Sequence, residues 1–193
     1  RRTVGEMVNE GRLVPARIAV VRVPGKLGNA KGRQLYSEGI VAYGPRQELA
    51  VLAIRRLVQN RKKVLVLAKE IEHCERIQSL VPGSVAVDGR NNAEVDQQLE
   101  RLSTGQLSVV IGTTVIGEGR DVPKADALVY LSGGRSKVRQ VQDYFRVLTA
   151  HSGKEFGIVV DFADLHHPKL AENSARRLIT YRGAGAFDSA VIN

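Results

Sequence analysis

The sequence predicts an α/β fold, a three-layer α/β/α sandwich around a mainly parallel sheet, on three observations. Short continuous apolar runs such as Val64-Leu65-Val66-Leu67 have the composition of strands buried on both faces. Between such runs lie segments whose apolar residues recur at helical spacing, as in Ile71, Cys74, Ile77 and Leu80. The two kinds of segment alternate, and alternation requires crossover connections between parallel strands.

Each element follows in order. Arg17–Val23 reads as a strand stopped by Pro24. The stretch Gly25–Gly44 holds Gly25, Gly28, Gly32, Gly39 and Gly44, and predicts a loop or linker. Pro45 suits the first turn of a helix running through Val58. Strand Val64–Leu67, helix Glu70–Leu80, strand Ser84–Val87, helix Ala93–Leu102 and strand Leu107–Ile111 come next. Strand Ala127–Leu131, helix Arg135–Leu148, strand Phe156–Asp161 and a closing helix Pro168–Tyr181 complete the pattern. Asp161-Phe162-Ala163-Asp164 reads as a turn ending the last strand.

Composition narrows the function classes. The chain is 43% hydrophobic and 25% charged, too apolar for a disordered segment. No apolar run approaches the roughly 20 residues of a membrane span. One cysteine, Cys74, allows neither an internal disulfide nor a multi-cysteine zinc site, which fits a cytoplasmic, intracellular setting. The first residues, Arg1-Arg2-Thr3, lack a Met or an apolar signal, as in a piece of a longer chain. The net charge of +9 favours a polyanionic partner, and its distribution is uneven. Residues 1–60 hold 11 basic and 4 acidic side chains, whereas residues 61–165 hold 14 of each sign. Of the basic residues, 20 are Arg and 9 are Lys, a bias toward the planar fork that grips phosphate.

In a parallel sheet, ligands gather at the loops after the carboxyl ends of strands. Here those loops read Lys69-Glu70, Asp88-Gly89-Arg90-Asn91-Asn92, Thr113 through Pro123, and Ser132-Gly133-Gly134-Arg135-Ser136. A phosphate-cradling P-loop is absent, since Gly153-Lys154 continues into Glu155.

The order of these motifs over residues 45–165 resembles the second RecA-like domain of superfamily 2 helicases, particularly restriction-type, excision-repair and phage members. The most specific element is Gly117-Glu118-Gly119-Arg120-Asp121-Val122-Pro123 after a strand ending in Thr. The resemblance implies three segments: 1–44, a basic connection from a missing N-terminal ATP-binding domain; 45–165, the RecA-like helicase C-terminal domain; and 166–193, a closing helix and tail. It also implies roles. Thr113 and Thr114 match positions that meet a nucleic-acid phosphate, and Lys69 and Arg90 lie in loops that face the strand backbone. Gly117 and Gly119 let the backbone turn close to a bound nucleotide, and Asp121 contacts the ribose or couples to the preceding motif.

The signature helix is similar to Gln-x-x-Gly-Arg-x-x-Arg, with Gln142 and Arg146 retained. Arg146 is then the arginine finger reaching the γ-phosphate. Phe145 stands at the glycine position and Thr149 at that of the second arginine.

The implied activity is ATP-driven unwinding or translocation. ATP would be shared with the missing domain, which also holds most of the Mg, and no cofactor would bind tightly to this chain alone. Alone, the chain should not hydrolyse ATP. Partners would be nucleic acid, DNA foremost, and the N-terminal RecA-like domain of the same parent protein, with no membrane. The alternative is a catalytically degenerate module that binds nucleic acid or a partner protein, which Phe145 and Thr149 favour. Asp164 with His166-His167 reads as polar surface, with no metal expected, and His73-Cys74 lacks the third partner of a catalytic site. Tyr144, Phe145, Phe156 and Phe162 have the spacing of core residues.

Overall fold

The computed structural model describes residues 4–113, 116, 125–133, 149–150, 153–183 and 187–192, with backbone alone at 4, 5, 7, 182, 183 and 187–192. Along the chain lie α1 (Val4–Asn9), β1 (Ala16–Val23), α2 (Gly32–Tyr36), a π-helical turn (Ser37–Val41) and α3 (Gly44–Gln59). Then come β2 (Val64–Ala68), α4 (Ile71–Leu80), β3 (Val85–Val87), α5 (Asn92–Ser103), β4 (Val109–Thr113) and β5 (Ala127–Tyr130). The described elements close with β6 (Gly157–Asp164), α6 (Pro168–Gly183) and β7 (Phe187–Ile192).

These strands form one sheet in the order β3-β4-β2-β5-β6-β1-β7, and every ladder between them is parallel. All residues of β2, β4 and β5 are buried, as their unbroken apolar runs require. Alternate side chains of each strand enter opposite layers. Leu65 and Leu67 join Val110, Leu128 and Val159 under α5 and α6, where Val95, Leu99, Leu102 and Tyr181 close over them. Val64 and Val66 join Val109, Ile111, Val129 and Phe162 under Ala50 and Ile54 of α3 and Cys74 and Ile77 of α4. This is the three-layer RecA-like arrangement.

The sheet takes in strands on both sides of residues 44 and 165: β1 pairs with β6 from Ala16↔Gly157 to Val23↔Asp164, and β7 pairs with β1. The expectation of a loop or linker over Gly25–Gly44 is corrected. That stretch carries α2 and the π-helical turn around a small core of Ala30, Leu35, Ile40 and Leu170. Its glycines misled because Gly39 is a packing residue: a Cβ there would lie 2.8 Å from Leu170 Cδ1. Asp161–Asp164 is likewise no turn but the buried carboxyl half of β6, its two carboxylates held by buried arginines. Thr113 is the last residue of β4 rather than the start of a loop. The helix expected at Arg135–Leu148 lies outside the described residues.

Candidate functional site

Three adjacent strands bring the described site residues to one rim. Ala68 pairs with Thr113 and Val87 with Gly112, so Lys69, the Asp88–Arg90 loop and Thr113 all stand at the carboxyl ends of β2, β3 and β4. Thr113 is buried at the strand end, whereas Lys69 and Arg90 are exposed.

Local chemistry shapes each position. Arg90 N–H donates to Asp88 Oδ1 at 3.0 Å, and Asn91 N–H to the Asp88 carbonyl at 3.0 Å, which folds the loop onto itself. The Arg90 guanidinium grips the Asp88 carboxylate, with Nε 2.6 Å from Oδ2. That hydrogen bond holds the Asp88 carboxyl below the usual range and raises Arg90. The pair is solvent-exposed, so a phosphate can compete for the guanidinium at little cost. Asn91 Oδ1 caps α5 by accepting from Glu94 N–H at 3.2 Å, while its amide donates to Glu94 Oε2. Lys69 Nζ lies 4.5 Å from the centroid of the Tyr36 ring and 3.7 Å from Glu70 Oε1. Burial pushes the Tyr36 phenol well above its ordinary range, so it stays neutral beneath that cation.

Beyond Thr113, Ile116 is buried and its side chain lies over Gly112, whose missing Cβ would fall 2.8 Å from Ile116 Cγ1. A glycine in β4 therefore leaves the space that the Ile116 side chain fills. Thr114, Gly117, Gly119, Asp121, Gln142 and Arg146 themselves lie outside the described residues, as do Tyr144 and Phe145. Thr149 is exposed, and its backbone bridges Leu13.

The rest of the rim is tied by buried ion pairs that sequence reading missed. Arg46 Nε donates to Asp164 Oδ1 at 2.7 Å and its Nη2 to the Leu131 carbonyl at 3.2 Å, with both side chains 1% exposed. Arg177 Nε donates to Asp161 Oδ2 at 2.9 Å, Nη1 to the Gly133 carbonyl at 3.1 Å and Nη2 to the Phe162 carbonyl at 2.7 Å. Tyr181 hydroxyl donates to the same Asp161 carboxylate. Burial disfavours the Arg177 charge, but the Asp161 carboxylate outweighs it and drives that pKa up. The two arginines thus hold the carbonyls of Leu131 and Gly133, at the end of β5. A signal was present: charged residues at the core-facing phase of α3, β6 and α6.

His166 is not the expected polar surface. It is 2% exposed, stacks on Tyr43 at 4.0 Å, and its Nε2–H donates to the Gly39 carbonyl at 2.9 Å. His73 and Cys74 are both buried in α4. Phe162 belongs to the core, while Phe156 is half-buried under the Arg17 guanidinium at 3.7 Å.

A parallel sheet covered by helices on both faces, with polar residues on its carboxyl rim, defines the class of α/β proteins that gather their ligands at that rim. Within it, the model of the helicase conserved C-terminal domain matches residues 47–150, and the chain belongs to that family. A candidate helicase, number 22, of Sulfolobus islandicus filamentous virus is 23% identical over 124 residues, 62% of this chain and 22% of its own. The chain thus spans about a fifth of that relative's length. T4 UvsW matches in structure with a TM-score of 0.74 at 18% identity, over 93% of this chain and 42% of that one. The ATP-dependent Type ISP restriction-modification enzyme LlaBIII, solved bound to DNA, matches at 0.64 and 14% identity, over 100% and 16%. At such identities these structures share the fold. No helix among the described residues is long and apolar enough to cross a membrane.

Proposed function

We propose that this chain is the second motor domain of an ATP-dependent superfamily 2 helicase or translocase. The observation that carries the reading is the convergence of Lys69, Arg90 and Thr113 on adjacent strand ends inside the family-matched stretch. Lys69, Arg90, Thr113 and Thr114 would grip one strand's phosphates. Gly117, Gly119 and Asp121 would border the nucleotide, with Gln142 and Arg146 facing it from the signature helix. ATP hydrolysis would supply the free energy, and Mg would be held mainly by the N-terminal RecA-like domain of the parent protein. The chain's own part is to offer cations to phosphate and to move against that domain. Segments 1–44, 45–165 and 166–193 would then be the basic connection, which also lends β1 to the sheet, the motor domain proper, and its closing helix with a tail that adds β7. DNA is the substrate first tested, and a cytoplasmic, intracellular setting fits it.

Binding of a single-stranded oligonucleotide to this chain, read by anisotropy across a salt series, tests the strand contacts. Lys69→Ala and Arg90→Ala should each lower the slope of log K against log salt by about 0.7, the single-strand value per lost phosphate contact. No binding at low salt overturns the reading. For the nucleotide contacts, Arg146→Ala in the parent protein should cut kcat about 10²–10³-fold, as loss of a donor to developing charge does.

Phe145 and Thr149 favour a second reading, a helicase-derived module that binds without hydrolysis. An exposed Thr149 presents no charge where the family pattern has an arginine. Strand binding by a parent protein with no ATPase would decide for it.

A further inference from the structure

The insertion between β1 and α3, residues 24–43, lies across the carboxyl rim on which the site is built. It touches the rim at three strand ends. Leu27 N–H donates to the His166 carbonyl at 2.7 Å just past β6, and His166 returns a bond to Gly39. Ile40 packs on Gly133 after β5: a Cβ on that glycine, at φ +63, would lie 2.8 Å from Ile40 Cδ1. At the end of β2, the Tyr36 ring lies under Lys69. Tyr43 closes the segment, its hydroxyl donating to the Pro24 carbonyl at 3.1 Å.

On this anchored platform Lys26, Lys31 and Arg33 are exposed, and among the described residues none has an acidic partner. Glu38, the one acidic residue of 24–43, accepts from the neutral Gln34 amide at 2.8 Å, so the segment's three cations outnumber it, and the neighbouring Lys169 pairs with Glu172 at 2.6 Å. Three unpaired cations on an ordered element are what a polyanion's backbone recognises. Their platform meets Lys69 through the Tyr36 ring, which joins it to the proposed strand contacts.

We infer that the 24–43 insertion is a second phosphate-backbone contact, with Lys26, Lys31 and Arg33 extending the single-strand track that begins at Lys69 and Arg90. This rests on the strand-binding reading above and adds residues to it.

The test uses this chain with a single-stranded DNA oligonucleotide of mixed sequence and, separately, its RNA counterpart. The Lys26→Ala, Lys31→Ala, Arg33→Ala triple variant should lower the salt slope by about 2 and weaken binding at least about tenfold at low salt. Its heat-unfolding midpoint should match the unaltered chain, because all three side chains are exposed. A charge-matched control, Arg56→Ala, Arg61→Ala, Lys62→Ala, sits at the opposite rim, near the amino end of β2, and should leave the slope nearly unchanged. Equal losses in the two triples would reduce the insertion to bulk charge and overturn the inference. So would an unaltered slope in the first triple while Lys69→Ala and Arg90→Ala lower theirs. A first triple that loses affinity only for the N-terminal domain of the parent protein also overturns it. An unaltered chain that binds neither oligonucleotide defeats the strand-binding reading itself. A loss on both DNA and RNA supports backbone contact, and a loss on one alone assigns the track to that nucleic acid.

Discussion

At the scale of single residues, the buried pairs decide more than the exposed ones. Arg90 and Asp88 meet in water, where an ion pair contributes little to stability, so their loop is free to exchange that contact for a phosphate. Arg177 and Asp161 meet in the core, where either charge left alone is costly. Arg177→Met should therefore destabilise the chain by about 3–5 kcal/mol, and Asp161→Asn by a comparable amount. The double variant should recover part of the loss, since it strands no full charge. Urea unfolding of the four proteins gives the coupling energy, and strictly additive losses would contradict the pairing. The same arginine holds the Gly133 carbonyl, so the pair also positions the chain just ahead of the segment bearing Gln142 and Arg146.

Among the elements, α5 shows how a loop and a helix share one device. Asn91 caps the helix, and its backbone N–H closes the turn that presents Arg90. Asn91→Ala should cost about 1 kcal/mol in denaturant unfolding, within the usual range for a lost cap. The Lys69 and Thr113 positions should keep their environments, because they belong to β2 and β4. Strand β4 is the other instructive element. Its Gly112 lets the buried Ile116 side chain pack where a Cβ would otherwise stand, the close approach that a glycine in a strand often marks.

For the whole molecule, acid stability follows from a group outside the site. His73 is buried in α4, and burial first, then the charges of Arg46 and Arg76, lower its pKa to about 3 from 6.5. Above about pH 6.5 the ring is neutral in both folded and unfolded chains. As pH falls from 6.5 toward 3, the unfolded chain takes up a proton that the folded one refuses. Stability is therefore lost across that window, by up to about 1.4 kcal/mol per pH unit. His73→Leu should flatten that part of the profile, as read by heat unfolding between pH 7 and 4. An unchanged slope would place the acid sensitivity elsewhere.

The sheet and its helices were legible because apolar periodicity is a local property: β2, β4, β5, α3 and α4 need only their own residues to declare themselves. Strand-end loops were legible for the same reason, so Lys69, Arg90 and Thr113 could be placed at strand ends from element order, while the roles expected of them came from the family resemblance. Sequence could not say that Gly25–Gly44 folds onto the rim, since its structure depends on Leu170 and His166 more than 100 residues away. It could not pair Arg46 with Asp164 or Arg177 with Asp161, because side chains distant along the chain meet only once the sheet is assembled. From the sequence by itself came the fold class, the family's motif order and the excess of positive charge. Tertiary structure alone decided where that charge stands, by seating the basic insertion beside Lys69. The physical reason is that periodicity is written residue by residue, whereas charge acts through distances that only the folded chain sets.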